Sequence, residues 1–189
     1  VAAGRRRNIE NLGLDAAGVR FDPRSGILVD AHLRTSNPRV FAAGDVCSRL
    51  QFTHSADAQA RIIIRNALFF GRARADRLIV PWCTYTKPEI AHVGATRAQL
   101  DADQVAYLPL RVEFGDLDRA KTDVGADGYA EVLVAAGEDR ILGATLVGKD
   151  AGEQIAPLVL LMTLGKGLGS LNSLILPYPT RSEYLRRVA

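Results

Sequence analysis

The sequence has few of the residues that build metal sites and disulfide frameworks. Its two cysteines, Cys47 and Cys83, have no metal-ligand or redox spacing, and its three histidines form no HxxxH or HxH pair. We therefore predict reduced thiols and no metal site. No apolar run approaches the ~20 residues that a membrane-spanning helix needs, and the N-terminus does not resemble a signal peptide. These absences indicate a cytoplasmic protein with no membrane partner.

The composition also lacks a strong charge bias. The 24 Lys and Arg residues nearly balance the 21 Asp and Glu residues, which gives no indication of a nucleic-acid partner. A hydrophobic fraction of 48% is enough for an ordinary globular interior. The first residue is Val1 and the only methionine is Met162. We therefore expect this sequence to be part of a longer protein.

The first part of the chain has the pattern of an α/β domain. Strand-like segments at residues 27–30 and 39–43 are separated by turn-forming residues, and the second segment ends at Gly44 and Asp45. A strand of small residues that ends at Gly-Asp is typical of a buried strand in an α/β sheet. The carboxyl ends of such strands are where these sheets hold ligands.

A helix is predicted from Thr53 to Phe70. We expect Thr53 or Ser55 to cap its start, Asp57 to lie in its first turn, and Gly71 to terminate it. Its predicted apolar face consists of residues at spacings of three and four: Ala56, Ala60, Ile63, Ile64 and Ala67.

A charged segment at residues 72–78 marks the predicted domain boundary, giving domains at 1–76 and 77–189. In the second domain, strands are predicted at residues 105–114, 129–136 and 140–147, and their order implies an antiparallel sheet. Flanking helices are predicted at residues 96–101, 152–165 and 181–188. The longest of these helices should start with a capping box of Asp150 and Glu153. It is apolar almost all round, so we expect it to be buried on more than one side, as at a protein interface.

The segment from Gly143 to Asp150 nearly matches a phosphate-binding loop. However, Asp150 stands where that motif requires Ser or Thr, and residues 144–147 continue a strand. We therefore reject a phosphate-binding loop. His54 lies at the start of the predicted helix, where free amides can hold an anionic ligand; a capping or surface role is the alternative.

Four segments in order resemble the pyridine nucleotide-disulfide oxidoreductase family. TSNPRVFAAGD (35–45) with FTHSA (52–56) is similar to its second flavin-binding motif. AGRR (3–6) resembles the end of its nucleotide domain, and YTKPEIAHVG (85–94) resembles the start of its dimerisation domain. The resemblance implies α/β and α+β folds: the C-terminal part of an FAD-binding domain, followed by an antiparallel-sheet dimerisation domain flanked by helices.

The resemblance also implies roles for residues around the helix start. Gly44 and Asp45 would bind FAD, with the Asp45 carboxylate accepting a hydrogen bond from a ribityl hydroxyl. The backbone of residues 51–54 would face the flavin pyrimidine edge, where the positive end of the helix stabilises the reduced flavin. The implied cofactor-binding residues are therefore Gly44, Asp45, Gln51, Phe52, Thr53 and His54.

The C-terminal PYPTRSE segment (177–183) departs from the His-Pro-Thr-x-x-Glu motif of dihydrolipoamide and glutathione reductases. Tyr178 occupies the histidine position and Glu183 keeps the carboxylate, so the resemblance implies that both are catalytic. A tyrosine with a pKa near ~10 is a poor proton acceptor at neutral pH, and this one is similar to the tyrosine of mercuric reductases. Alternatively, Thr180 and Glu183 form only a capping box.

The family's GxGxxG flavin fingerprint, its redox cysteine pair and its nicotinamide domain have no match in the sequence, and we expect them upstream. The C-terminal cysteine pair of mercuric reductases is also missing. We predict the C-terminal part of a homodimeric, FAD-dependent NAD(P)H:disulfide oxidoreductase that acts on a small-molecule or thiol/disulfide substrate, with a mercuric reductase-like branch favoured. Without its upstream part the segment should be inactive. The alternatives are an inert dimerisation module and a flavoprotein oxidase of the same superfamily.

Overall fold

The computed structural model describes residues 4–123 and 127–189. The chain forms two compact units, one ending at Leu78 and the other beginning at Ile79. Across the described residues, no helix combines the length and the apolar character needed to cross a bilayer.

The first unit contains a short antiparallel hairpin of β1 (Phe21–Asp22) and β2 (Gly26–Ile27). The Asp22 carboxylate accepts hydrogen bonds from the amides of Arg24 and Ser25, which closes the turn between the strands. Gly26 has φ +85°, and a Cβ atom there would lie 2.0 Å from the Val46 carbonyl oxygen, so only glycine fits. A small core packs behind the hairpin and contains Ile9, Val19, Ile27 and Ala42.

The prediction of regular strands at residues 27–30 and 39–43 is wrong. The first is cut short because the Asp30 carboxylate accepts from the amides of His32 and Arg34, which makes a turn. In the second, Phe41 forms only an isolated antiparallel bridge with Arg34. Local turn hydrogen bonds use the backbone groups that a strand would need.

The predicted helix is present as α1 (Thr53–Leu68), but its buried face is not the predicted one. The side chains that face inward are Ser55, Gln59 and Ile62. Ala60, Ile64 and Ala67 are exposed, and Ile64 has 52% of its surface accessible. Gln59 faces inward because its side chain accepts a hydrogen bond from a buried backbone amide, which periodicity of apolar residues does not reveal.

The predicted ends of α1 are also corrected. Phe52 is the N-cap and makes no side-chain capping bond, so neither Thr53 nor Ser55 caps the helix. Asp57 lies beyond the first turn and pairs with Arg61 at 2.8 Å. The left-handed residue after the helix is Phe70 (φ 52°), while the Gly71 amide donates to the Arg65 carbonyl.

The second unit is built on a five-stranded antiparallel sheet in the order β3-β4-β7-β6-β5. The three predicted strands are confirmed as β5 (Tyr107–Glu113), β6 (Tyr129–Ala135) and β7 (Ile141–Gly148). Two further strands were not predicted: the edge strand β3 (Trp82–Thr84) and its neighbour β4 (Glu89–Gly94). Since residues 144–147 lie inside β7, the rejection of a phosphate-binding loop is confirmed.

Helices accompany this sheet, as predicted. They are α2 (Arg97–Ala102), α3 (Asp118–Thr122), α4 (Ala151–Gln154), α5 (Ala156–Thr163) and α6 (Tyr184–Val188). Short 3-10 turns lie at Phe114–Asp116, Leu168–Ser173 and Arg181–Glu183. The core between sheet and helices includes Val93, Phe114, Leu146, Leu158 and Tyr184, each at most 1% exposed.

The long helix predicted at residues 152–165 is in fact two, α4 and α5, which meet at Ile155. The predicted Asp150 capping box is wrong, because Asp150 is left-handed (φ 57°) and its side chain makes no capping bond. Within this chain α5 is buried mainly through Leu158, while Leu160 is 57% exposed. Burial on more than one side is therefore not achieved by the chain alone.

Candidate functional site

The Gly44–Asp45 turn is held against α1 by a buried side chain. The Gly44 amide donates a 2.7 Å hydrogen bond to Oε1 of Gln59, whose Nε2 donates in turn to the Ser55 hydroxyl. Gly44 has φ +76°, and a Cβ atom there would come 3.0 Å from the Cβ of Ala56. The turn thus packs closely on the first turns of α1, and residues 44–46 form a 3-10 turn.

Asp45 lies beside the segment that leads into α1. Nη1 of Arg5 donates both to Oδ2 of Asp45 (3.2 Å) and to the Gln51 carbonyl oxygen (3.0 Å). The Asp45 side chain keeps 44% of its surface accessible, so its carboxylate can still accept a hydrogen bond from a ligand. Arg5 therefore places the carboxylate next to the backbone of the predicted flavin-facing segment.

The start of α1 carries the remaining predicted cofactor-binding residues. Thr53 and His54 are exposed, Gln51 and Phe52 are half-buried, and the rings of Phe52 and His54 stack with centroids 5.3 Å apart. The N-cap residue Phe52 makes no side-chain capping bond, and the positive end of the helix dipole lies at this helix start. The structure thus brings all six predicted cofactor-binding residues into one region of the first unit.

Tyr178 lies in the second unit, on the loop that precedes α6. Its side chain is 71% exposed, and its hydroxyl donates a 2.5 Å hydrogen bond to Oδ2 of Asp118, the first residue of α3. This hydrogen bond and the charge of Asp118 raise the pKa of the Tyr178 phenol, and burial and Glu183 add smaller increases. The same bond, with a second from Lys121, lowers the pKa of the Asp118 carboxyl.

The hydrogen-bond partner of the Tyr178 hydroxyl is therefore Asp118 and not Glu183. Glu183 pairs with Arg187 one turn later at 2.8 Å, and its Oε2 is buried with no partner among the described residues. The capping box of Thr180 and Glu183 is wrong, because the Thr180 hydroxyl donates to the Pro177 carbonyl oxygen. That bond closes the turn that carries Tyr178.

A second contact ties the Tyr178 loop to the end of α3. The Arg181 guanidinium donates to Oδ2 of Asp123 at 2.9 Å, and Arg119 pairs with Oδ1 of the same carboxylate at 3.2 Å. Arg181 and, to a lesser degree, Arg119 lower the pKa of the Asp123 carboxyl. The loop is thus attached to α3 on both sides of Thr180, through Tyr178 and through Arg181.

One cysteine belongs to the Gly44–Asp45 turn, where the Cys47 thiol donates to the Gly44 carbonyl oxygen at 3.6 Å. Cys47 and Cys83 are free and half-buried, and burial raises the pKa of the Cys47 thiol to about 11. Neither is a reactive thiolate at neutral pH. Within residues 4–123 and 127–189, no three His, Cys, Asp or Glu side chains are grouped to hold a metal ion.

Three residues at these sites were missed from the sequence. Arg5 and Gln59 hold Asp45 and Gly44, and Asp118 holds Tyr178. Gln59 was missed because the apolar periodicity of α1 predicts a different inner face. Nothing in the local sequence links Asp118 to Tyr178, because the two lie 60 positions apart and meet only through the fold.

Comparison with known families agrees with both halves of this arrangement. Residues 80–189 match the model of the "Pyridine nucleotide-disulphide oxidoreductase, dimerisation domain". Residues 1–60 match the "Pyridine nucleotide-disulphide oxidoreductase" model, and this range includes the Gly44–Asp45 turn and the start of α1. The chain belongs to the pyridine nucleotide-disulfide oxidoreductase family. The family expected from the sequence is thereby confirmed.

Relatives and solved structures support the assignment. The chain is 34% identical to the mitochondrial dihydrolipoyl dehydrogenase of Sus scrofa over 98% of its own length and 36% of that protein. LpdA from Mycobacterium tuberculosis has a similar structure (TM-score 0.91, 26% identity, covering 98% of this chain and 40% of LpdA). So does the HOCl-induced flavoprotein disulfide reductase RclA from Escherichia coli (TM-score 0.89, 27% identity, covering 99% and 43%). The chain thus spans well under half of each of these oxidoreductases.

Proposed function

We propose that this chain is the C-terminal part of an FAD-dependent NAD(P)H:disulfide oxidoreductase. On this proposal residues 1–76 complete the FAD-binding domain and residues 77–189 form the dimerisation domain. The observation that carries the proposal is that Gly44 and Asp45 are held beside the start of α1, in a chain of this family. The nicotinamide site and the redox cysteines would belong to the rest of the protein.

The residues of the first unit fit a bound flavin. Asp45 offers a half-exposed carboxylate to a ribityl hydroxyl. Gly44 has no side chain, so the turn that carries Asp45 can pack directly against Ala56 of α1. The backbone of Gln51, Phe52, Thr53 and His54 would face the pyrimidine ring. When bound, FAD would take a hydride from NAD(P)H and pass electrons to a redox disulfide. The chain's own part is to orient the ribityl chain and to place the positive end of α1 near the ring.

Tyr178 is proposed to act on the electron acceptor, with Glu183 as its neighbouring carboxylate. The match to a dimerisation domain and the exposure of Tyr178 support this role, because in a homodimer such a loop can reach the partner's site. The acceptor would be a small disulfide or a thiol-bound group.

A thiol-bound metal ion such as mercuric ion is the second candidate acceptor. The observation that favours it is Tyr178 at the histidine position, since a tyrosine with a pKa near ~10 is a poor proton acceptor at neutral pH. RclA, similar to this chain, has also been solved as a Cu(II) complex. The relatives described above are dihydrolipoyl dehydrogenase and disulfide reductase, which keeps a disulfide acceptor as the first choice.

The homodimer is proposed from the second unit's surface. Three large apolar side chains on α5 and the segment after it are exposed in the single chain, and the unit that carries them matches a dimerisation-domain model. They are Leu160 (57% exposed), Leu164 (61%) and Ile175 (92%).

The proposed location is the cytoplasm. Two free cysteines agree with such a reducing compartment.

Anaerobic half-reactions of the full-length protein test the proposal. If it holds, the purified protein is yellow, NADH or NADPH bleaches the flavin, and a small disulfide or a thiol-bound metal ion restores the colour. A flavoprotein oxidase would instead be restored by oxygen alone, at a rate independent of either acceptor. A colourless full-length dimer would leave only an inert dimerisation module and would refute the proposal.

A further inference from the structure

We propose that Asp118 is a positioning residue that holds the Tyr178 hydroxyl proton, so that Tyr178 meets the electron acceptor with its oxygen lone pairs and does not act as a proton donor. This inference rests on the proposed function, because it describes how Tyr178 acts within the same acceptor site.

The first support is the direction of the hydrogen bond. A phenol has one proton to donate, and in Tyr178 that proton is directed to Oδ2 of Asp118 at 2.5 Å. A carboxylate with a lowered pKa stays ionised at neutral pH and accepts but does not donate. The only polar capacity that Tyr178 offers to a ligand is therefore its lone pairs. These can accept a hydrogen bond from a thiol or contact a thiol-bound cation.

The second support is that both partners are anchored in the core. Asp118 follows Leu117 and precedes Ala120, and both of these side chains are completely buried, so α3 is fixed beneath its exposed carboxylate. On the other side, Tyr184 is completely buried and donates from its hydroxyl to the Gln154 carbonyl oxygen at 2.7 Å. The two segments that carry the pair therefore meet as parts of one packed unit.

The third support is the charge around the phenol. Asp118 and Glu183 both oppose a phenolate, and both disfavour loss of the Tyr178 proton. The cations nearby are engaged: Lys121 with Asp118, Arg187 with Glu183, and Arg181 with Asp123. Tyr178 thus stays a neutral phenol across the physiological range, and its lone pairs remain what it offers to an acceptor.

The pairing itself is tested in the 189-residue chain by titrating tyrosines labelled at Cζ and followed by NMR, with the Tyr178 signal assigned from its loss in Tyr178→Phe. In Asp118→Asn the titration midpoint of Tyr178 should move to lower pH. The matched control is Asp101→Asn, which removes the partner of a second tyrosine, Tyr107, at 3.0 Å. The control should shift Tyr107 and leave Tyr178 in place. An unchanged Tyr178 midpoint in Asp118→Asn overturns the pairing, whatever the enzyme does.

The role is tested in the full-length enzyme by following reoxidation of the NAD(P)H-reduced protein at neutral pH, with a small disulfide in one arm and a thiol-bound metal ion in the other. Asp118→Asn should slow reoxidation by roughly tenfold or more, since misplacing a reacting group is costly. It should leave flavin reduction unchanged, and its effect should vanish in the Tyr178→Phe background.

Faster reoxidation would show that the freed hydroxyl donates a proton, and additive losses would show a purely structural role; either overturns the proposal. A wild-type enzyme that reduces neither acceptor would refute the proposed function and not the pairing.

Discussion

The amide of Gly44 donates its hydrogen bond to the side-chain Oε1 of Gln59, fifteen residues along the chain and buried on the inner side of α1. This bond couples the turn that carries Asp45 to the helix whose start lies beside it. The position of the proposed FAD contacts therefore depends on a residue that would not itself touch the flavin.

Replacing Gln59 tests this coupling. Gln59→Leu leaves the Gly44 amide buried without an acceptor, so the free energy of unfolding should fall by about 1–3 kcal/mol. FAD binding to the full-length protein should weaken as well. Urea denaturation and flavin release on dilution measure the two effects. Ala60→Leu, at an exposed position of the same helix, is the control and should change neither; equal losses in both variants would contradict the coupling.

Tyr178→Phe should affect only one of the two proposed half-reactions of the full-length protein. The substitution removes the oxygen proposed to meet the acceptor but lies outside the FAD-binding residues. Reoxidation by the acceptor should become at least about tenfold slower while flavin reduction by NAD(P)H is unchanged. Stopped-flow absorbance of the flavin measures both. The same loss in the two half-reactions would place Tyr178 outside the acceptor site.

Substitutions of two leucines on α5 test the proposed dimer surface and the core separately. Leu160 is 57% exposed, so Leu160→Glu should dissociate the proposed dimer and leave the fold of the single chain intact. Leu158 is completely buried, so Leu158→Ala should cost about 2–5 kcal/mol of stability through the cavity it leaves. Light scattering and thermal denaturation measure the effects. A Leu160→Glu protein that remains dimeric would show that α5 is ordinary surface.

Tyr184 should make stability fall in alkaline solution. Burial raises its pKa well above the ordinary ~10, which it regains in the unfolded chain. Above pH ~10 the unfolded chain releases the Tyr184 proton while the folded chain keeps it. The contribution of Tyr184 to the free energy of unfolding is therefore complete below that pH and is lost as the pH rises. Tyr184→Phe should reduce this loss of stability without abolishing it, because the Cys47 thiol also has a raised pKa, and at neutral pH it should cost about 1 kcal/mol through the bond to Gln154. Denaturation at several pH values, with exposed Tyr85→Phe as control, checks this; a wild-type slope in Tyr184→Phe would contradict it.

The sheet of the second unit was largely predictable from the sequence. In β5, β6 and β7 the branched and apolar residues and the turn at Gly137 define strands and their antiparallel order. Strand β4 was missed because its polar and apolar residues do not alternate with burial: Ala91 and Val93 lie in the core, while on the opposite face His92 is only 4% exposed and Ile90 is 36% exposed. A buried histidine beside an exposed isoleucine breaks the alternation from which strands are predicted.

The site was predictable only where it follows a contiguous motif. Asp45 and the start of α1 lie within one short segment, so their neighbourhood could be anticipated. The contacts of Arg5 with Asp45, and of Asp118 with Tyr178, join residues far apart in sequence. Such contacts depend on tertiary packing, and neither propensity nor spacing encodes them.

The central claim is that Asp45 and the start of α1 bind FAD. The most direct test is the flavin-to-protein absorbance ratio of the purified full-length protein carrying Asp45→Ala, compared with Asp57→Ala, which removes an exposed carboxylate of α1 that pairs only with Arg61 among the described contacts. We predict that the wild type and Asp57→Ala hold one FAD per chain and that Asp45→Ala loses most of its flavin. Full retention of FAD by Asp45→Ala, with the ratio of the wild type, would contradict it.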